Sequence, residues 1–289
     1  MLIRAVKSAL DAIPPNCEVI VVDDGSKSPA IESLSGIVDR RLIVLQNDGQ
    51  RGGGGSAARN LGLSHAKGDV LFLLDDDDEI LPHYCQFVLD VALNKVGPPD
   101  YGFSAVQLVR VDQPPSIKSR DIREGLVAQE TPFRVTTFPF SIGFWMTRAT
   151  YDEIGPIDET LPTNSDTEYS LRLRAAAKRM WYTPQAGVRI HQHDGQGDQL
   201  GQVTKRIPYA RRADAFQTII ERHSDYLSRD SSARRFLLKR QLTLAAKAGE
   251  LSIDLRTVAG LSTLELWLML GYHHALRLTL AAKRPKASE

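Results

Sequence analysis

The chain has 289 residues, 42% of them hydrophobic and 25% charged, with a net charge of +1. That balance excludes a disordered or fibrous chain and fits one large globular domain or a domain with an appendage. No run of about 18 uninterrupted apolar residues occurs, which argues against a membrane-spanning helix, and no signal peptide opens the sequence. The charge is unevenly spread: residues 1–199 hold 20 Lys/Arg against 27 Asp/Glu, and residues 200–289 hold 16 against 8. An acidic body with a basic tail points to a cation site in the first part and an anionic surface facing the second.

In chain order, residues 2–12 read as a helix with Ile3, Val6 and Leu10 on one face, broken by Pro14-Pro15-Asn16. Glu18 to Val22 reads as a buried strand, and Asp23-Asp24-Gly25-Ser26 as the turn leaving it. A helix over 30–38, a strand over 41–45, a glycine-rich loop over 47–55 and a helix opened by Ser56 follow. Val70-Leu71-Phe72-Leu73-Leu74 reads as a further buried strand that stops at four consecutive carboxylates, Asp75-Asp76-Asp77-Asp78. A helix is expected from Pro82 to about Asn94. This alternation argues for an α/β fold with a mainly parallel sheet flanked by helices. Residues 101–111 alternate as a strand does, 112–132 read as a polar loop or flap, and a strand with Trp145 lies within 140–147. A loop-to-helix segment over 162–180 and a short strand over 187–190 precede His191-Gln192-His193. From about 203 onward the pattern is helical, so the division expected is 1–200 and a helical, basic extension over 201–289.

The aspartates at the end of the strand carry the chemistry. Ligands of open α/β sheets bind at the carboxyl ends of strands. Four adjacent carboxylates repel one another and favour a cation, and oxygen-only ligands suit Mg²⁺ or Mn²⁺ carrying phosphates. A solvated acidic turn is the bland alternative. Cys17 and Cys85 lie far apart in no ligand spacing, which indicates no disulfide framework and fits a reducing, cytoplasmic compartment.

Val21-Val22-Asp23-Asp24-Gly25-Ser26, Gly55-Ser56-Ala57-Ala58-Arg59-Asn60-Leu61-Gly62 and Gly68 to Asp78 stand in an order and spacing that resembles family 2 glycosyltransferases of the GT-A (Rossmann-like) fold. Gly155-Pro156-Ile157-Asp158-Glu159 and Ser165-Asp166-Thr167-Glu168 look like that family's acceptor-side motifs. The resemblance covers about residues 1–195. It implies metal-dependent transfer of a sugar from a nucleotide diphosphate sugar, with inversion, to a saccharide or lipid-linked acceptor such as those of envelope polysaccharide or glycolipid synthesis. Asp75-x-Asp77 matches the family's DxD motif, which makes Asp77 the first candidate metal ligand and Asp75 a ribose or metal-water contact. Asp76 and Asp78 can share that work, because a run of four leaves the register open. Asp23 and Asp24 match the nucleotide pocket, although an Asp-Gly turn explains Asp23 as well. Arg59 matches an arginine near the nucleotide.

Asp166 stands at the family's general-base position, with Ser165 where glutamate is common. Ser165-x-x-Glu168 also reads as a capping box. His193 is the candidate histidine near the metal or diphosphate. His191 faces the other way on an extended segment and is left out. The paired cations Lys205-Arg206, Arg211-Arg212, Arg234-Arg235 and Lys239-Arg240 fit either a solvated helical bundle or peripheral contact with an anionic membrane. No motif or aromatic interleaving points to nucleic acid. Nucleotidyl transfer and a non-catalytic nucleotide-sugar-binding remnant of the same fold are the competing readings. The family resemblance normally begins with a strand ahead of the helix over 2–10. A central strand is therefore expected to be missing, leaving the Glu18–Val22 edge open, and about 15 upstream residues are expected to raise solubility and nucleotide affinity.

Overall fold

The computed structural model describes residues 1–47, 49, 54–93, 97–192, 207–249, 267, 271, 274 and 275. The chain divides into two compact units: Met1–Thr131, Val135–Glu159 and Ser165–Leu200 form the first, and Pro132–Arg134, Thr160–Asn164 and Gly201–Glu289 the second.

In the first unit, apolar runs that end in charged turns become strands. Helix α1 (Leu2–Ala12) precedes β1 (Val19–Asp23), α2 (Ala30–Ser33) and β2 (Leu42–Gln46). Strands β1 and β2 pair in parallel from Val19↔Leu42 to Asp23↔Gln46 and form a two-stranded sheet. Helix α1 places Val6 and Leu10 in a cluster with Leu34, against which Val19, Val21, Leu42 and Val44 pack. Its far end serves a second cluster, where Ala12 meets Ile80, Tyr84 and Val88. Helix α1 thus joins the small sheet to the larger one.

Helix α3 (Gly55–His65) leads to β3 (Val70–Phe72), the aspartate turn and β4 (Glu79–Ile80). Helix α4 (Tyr84–Ala92), β5 (Tyr101–Arg110), β6 (Gln113–Lys118), β7 (Gly125–Leu126) and α5 (Phe133–Thr136, its first two residues counted with the second unit) follow. The unit closes with β8 (Trp145–Thr147), α6 (Arg148–Ile154), α7 (Ser165–Ala175) and β9 (Met180–Gln192). The larger sheet runs β3-β8-β5-β9-β4, with β6 on β5 and β7 on β9. Parallel pairing holds for β1–β2 and β5–β9. The remaining pairs, β3–β8, β5–β8, β4–β9, β5–β6 and β7–β9, are antiparallel. The sheet is therefore mixed where a mainly parallel one was expected, and the segment 112–132 holds two short strands rather than a bare flap. The strand expected over 187–190 lies in the second half of a longer one that runs Met180–Gln192.

Aromatic packing fixes the frame. Phe138 and Phe144 stack with centroids 4.6 Å apart, and Phe103, Tyr169 and Tyr182 close around them, all buried. Tyr84 is buried behind the site, its hydroxyl donating to the Gly143 carbonyl at 2.6 Å. A β-carbon on Gly187 would come within 2.5 Å of the Tyr84 ring, so only glycine lets β9 pass this close.

Buried Asn60 on α3 fastens the segment 157–159. Its amide donates to the Ile157 carbonyl (2.8 Å) and to Glu159 (2.7 Å), and its oxygen accepts the Ile157 N–H (2.8 Å). Asn60→Ala strands two buried backbone groups and is expected to cost about 2–4 kcal/mol. Urea denaturation checks this; a loss under about 0.5 kcal/mol contradicts the assignment.

In the second unit, α8 (Tyr209–Arg222) and α10 (Ser231–Ala248) pack together with the short α9 (Ser224–Leu227) between them in sequence. Phe216, Ile219, Leu237, Leu238 and Leu242 on these helices are buried, and Phe133 meets Phe236 edge-on at 5.5 Å. Asp230 caps α10 by accepting the Ala233 N–H, and Gly249 ends it in the left-handed conformation.

Candidate functional site

Strands β1 and β3 both end at carboxylates, and the two aspartates after β1 do different jobs. Asp23 is buried, and its oxygens accept the Ser26 and Ala30 N–H groups at 2.8 Å each. Those backbone bonds hold its pKa below the ordinary value despite burial. Both oxygens are thus committed to the turn. Asp24 is exposed and accepts Asn47 Nδ2 at 2.6 Å and the Gly54 N–H at 2.5 Å. It ties Asn47, just after β2, to Gly54 at the start of α3.

Helix α3 carries Arg59 to the aspartate turn. Its guanidinium donates to Asp75 at 2.7 Å and lies 5.4 Å over the Phe140 ring, a core aromatic that offers its outer face. Ser56 donates to Ser165 Oγ at 3.1 Å, which joins the first turns of α3 and α7. Two helix N-termini, with their positive dipole ends, therefore meet beside Arg59.

The aspartates form a tight turn in which the Asp78 N–H bonds the Asp75 carbonyl at 3.2 Å. Asp76 is exposed and Asp77 half-buried. The Asp77 carbonyl accepts Arg4 Nη2 at 2.6 Å. Asp78 turns inward, 3% exposed, and accepts the His191 N–H at 3.1 Å. Burial, then the neighbouring Asp77 charge, push its pKa from the ordinary 3.8 up to about 7. The folded chain therefore binds this proton more tightly than the unfolded chain. The stability linked to it is complete below about pH 4 and disappears as pH rises through about 7. Asp78→Asn keeps the bond to His191 and removes the charge. Its stability is expected to exceed wild type above pH 7 by about 1–4 kcal/mol without added metal, and to converge with it near pH 4. Urea midpoints from pH 4 to 8 in chelator check this; equal pH slopes for the two proteins contradict it.

Asp166 lies in the first turn of α7. Its Oδ1 accepts the Thr167 N–H (2.6 Å) and hydroxyl (3.3 Å), and Oδ2 meets no partner among the described residues. Burial raises its pKa, against the pull of the Thr167 bonds and the Arg59 charge. The capping-box expectation is corrected here: α7 begins at Ser165 itself, Ser165 bonds Ser56, and Glu168 pairs with Arg172 at 3.0 Å.

Asp24, Arg59, Asp75, Asp77 and Asp166 are thus linked through α3 and the aspartate turn. His193 lies outside the described residues. His191, left out of the sequence reading, is placed against the turn with its Nε2 2.5 Å from Glu79. Only tertiary pairing of β4 with β9 brings these two together, so no local signal marked them.

Among the described residues no group of three or more His, Cys, Asp or Glu side chains is arranged to hold a metal ion. The donor set nonetheless fits a hard divalent cation. After burial, the like charges of Asp77 and Asp75 also raise the pKa of Asp78, and Mg²⁺ is ordinarily held by one or two carboxylates with ligand phosphates and water completing the shell.

The family model for Glycosyl transferase family 2 matches residues 1–147, half of the chain. The chain belongs to glycosyltransferase family 2. It is 38% identical over 81 residues to the succinoglycan biosynthesis protein ExoO of Rhizobium meliloti, covering 28% of this chain and 23% of that protein. It is 38% identical over 73 residues to the UDP-Glc:alpha-D-GlcNAc-diphosphoundecaprenol beta-1,3-glucosyltransferase WfaP of Escherichia coli, covering 25% and 28%. The matches therefore span only about a quarter of the curated relatives' lengths. Among solved structures, S. aureus TarS residues 1–349 in complex with UDP-GlcNAc superposes with a TM-score of 0.61 at 16% identity, covering 96% of this chain and 84% of that one. S. aureus TarS in a longer form gives 0.63 at 14% identity, with 96% and 51% covered. The architecture is accordingly a GT-A-like α/β fold with flanking helices and a helical C-terminal region.

Proposed function

We propose that this chain is an inverting glycosyltransferase that moves a sugar from a nucleoside diphosphate sugar to a hydroxyl of a saccharide or lipid-linked acceptor. The observation that carries the reading is the meeting of the aspartate turn, Arg59 and Asp166 at the ends of β3, α3 and α7. Asp166 Oδ2 takes the proton of the acceptor hydroxyl as its oxygen attacks the anomeric carbon, and the bond to the diphosphate breaks on the opposite face. Arg59, now paired with Asp75, supplies a cation to the leaving diphosphate. Asp24 lines the nucleoside. Asp77, with Asp75, would hold Mg²⁺ or Mn²⁺, which neutralises diphosphate charge when bound.

A thermal-shift panel of nucleoside diphosphates with and without Mn²⁺ tests the reading, since a ligand bound only by the folded state raises its stability. One base should raise the melting temperature in a Mn²⁺-dependent way. No shift with any base contradicts a donor site.

Helix α10 carries Arg234, Arg235, Lys239, Arg240 and Lys247 and no acidic residue. No helix among the described residues is long and apolar enough to cross a membrane. The reading extends to this helix as a peripheral contact with an anionic lipid surface. Co-sedimentation with phosphatidylglycerol vesicles, lost in high salt and weakened by Lys239→Glu/Arg240→Glu, is the expected result. Equal sedimentation of the variant contradicts it.

A further inference from the structure

Glu79 is one carboxylate, 18% exposed at its side chain, that faces cationic or ring-nitrogen groups from two other elements. From α1, Arg4 Nε stands at 3.5 Å. From β9, Arg189 Nη1 stands at 3.4 Å and His191 Nε2 at 2.5 Å. Two of these three partners have a second tie to the turn. Arg4 donates through Nη2 to the Asp77 carbonyl, and the His191 N–H is held by Asp78. Arg189 is the cross-strand partner of Glu79 itself. Asp77 and Asp78 of the turn are thus braced by one anion that gathers α1 and β9. Glu79 itself directly follows the carboxylates that would meet the ligand.

We infer that Glu79 is a positioning residue that fixes the Asp75–Asp78 turn for the donor diphosphate and its cation, acting through Arg4 on Asp77 and through His191 on Asp78. The inference rests on the proposed donor site. Removing the Glu79 charge frees Arg4 to leave the Asp77 carbonyl, so the Asp77 side chain samples more orientations. Outer partners of this kind typically change metal affinity about 10–100-fold.

The probe is Mn²⁺ titrated into the full chain with UDP, GDP and dTDP in turn, free Mn²⁺ being read from its electron paramagnetic resonance signal. Glu79→Gln, which keeps the side chain's shape, should weaken Mn²⁺ binding at least tenfold with the circular dichroism spectrum unchanged. Arg4→Met, in the first turn of α1, should weaken it in the same direction and serves if Glu79→Gln fails to fold. The double variant should bind no worse than the poorer single variant, because both act along one route. Wild-type affinity in Glu79→Gln, or in Arg4→Met where the first does not fold, overturns this inference alone. Losses that multiply in the double variant overturn the route through Arg4. A wild-type chain that binds no Mn²⁺ with any of the nucleotides overturns the donor-site reading and this inference with it.

Discussion

Asp77→Ala is expected to abolish sugar transfer and Mn²⁺-dependent nucleotide binding while the fold persists. Asp77 belongs to a turn in which burial, and after it the Asp77 charge, push Asp78 up to about 7. Deleting that charge relieves the repulsion, so stability should hold or rise slightly in the absence of metal. The Asp77 backbone carbonyl, which Arg4 grips, survives the substitution. The expected pattern is therefore activity lost, melting temperature kept, and the Mn²⁺-dependent shift gone. Wild-type turnover in excess chelator would refute metal dependence whatever the variant does.

Asp166→Asn is expected to lower transfer about 10²–10⁴-fold, the usual worth of a general base, with donor affinity unchanged. The amide oxygen still accepts from the Thr167 N–H and hydroxyl, so α7 keeps its first turn. The raised pKa of Asp166 gives the sign of the pH effect. The base must be ionised to accept the proton, so wild-type rate should fall on acidification with a midpoint above the ordinary 3.8 of an aspartate. The residual rate of the variant should lack that limb. A variant that keeps wild-type rate, or keeps the acid limb, places the base elsewhere.

The first half of the fold was legible because its signals are local. Val19–Asp23, Leu42–Gln46 and the helix over 2–12 are apolar patterns closed by charged or proline-bearing turns, and their observed bounds fall within a residue or so of the reading. Strand β3 was legible as a strand, although it ends at Phe72, two residues before the apolar run does. The antiparallel additions were not legible. Strand β6, Gln113 to Lys118, is exposed throughout and carries two prolines, so it shows no hydrophobic alternation and exists through its pairing with β5. Strand β7 has two residues and is defined only by β9.

The site divides in the same way. The aspartate run announced itself, because a buried strand ending in carboxylates is a sequence pattern. Which of Asp23 and Asp24 turns inward is decided by the amides of residues 26 and 30, and spacing alone does not reveal it. Ser165 looked like a cap because Ser-x-x-Glu is the cap's signature. The helix instead starts one residue earlier than a cap at Ser165 would allow, and Arg172 claims Glu168. Glu79 and His191 are 112 positions apart and meet only through strand pairing.

The most direct test of the central claim is to identify the products formed from a nucleoside diphosphate sugar and an acceptor by the full chain with Mn²⁺. The account predicts a free nucleoside diphosphate and a glycosylated acceptor of inverted anomeric configuration, read by mass spectrometry and proton NMR, both absent with Asp166→Asn. Release of pyrophosphate, retention of configuration, or donor binding with no transfer to any saccharide or lipid-linked acceptor would contradict it.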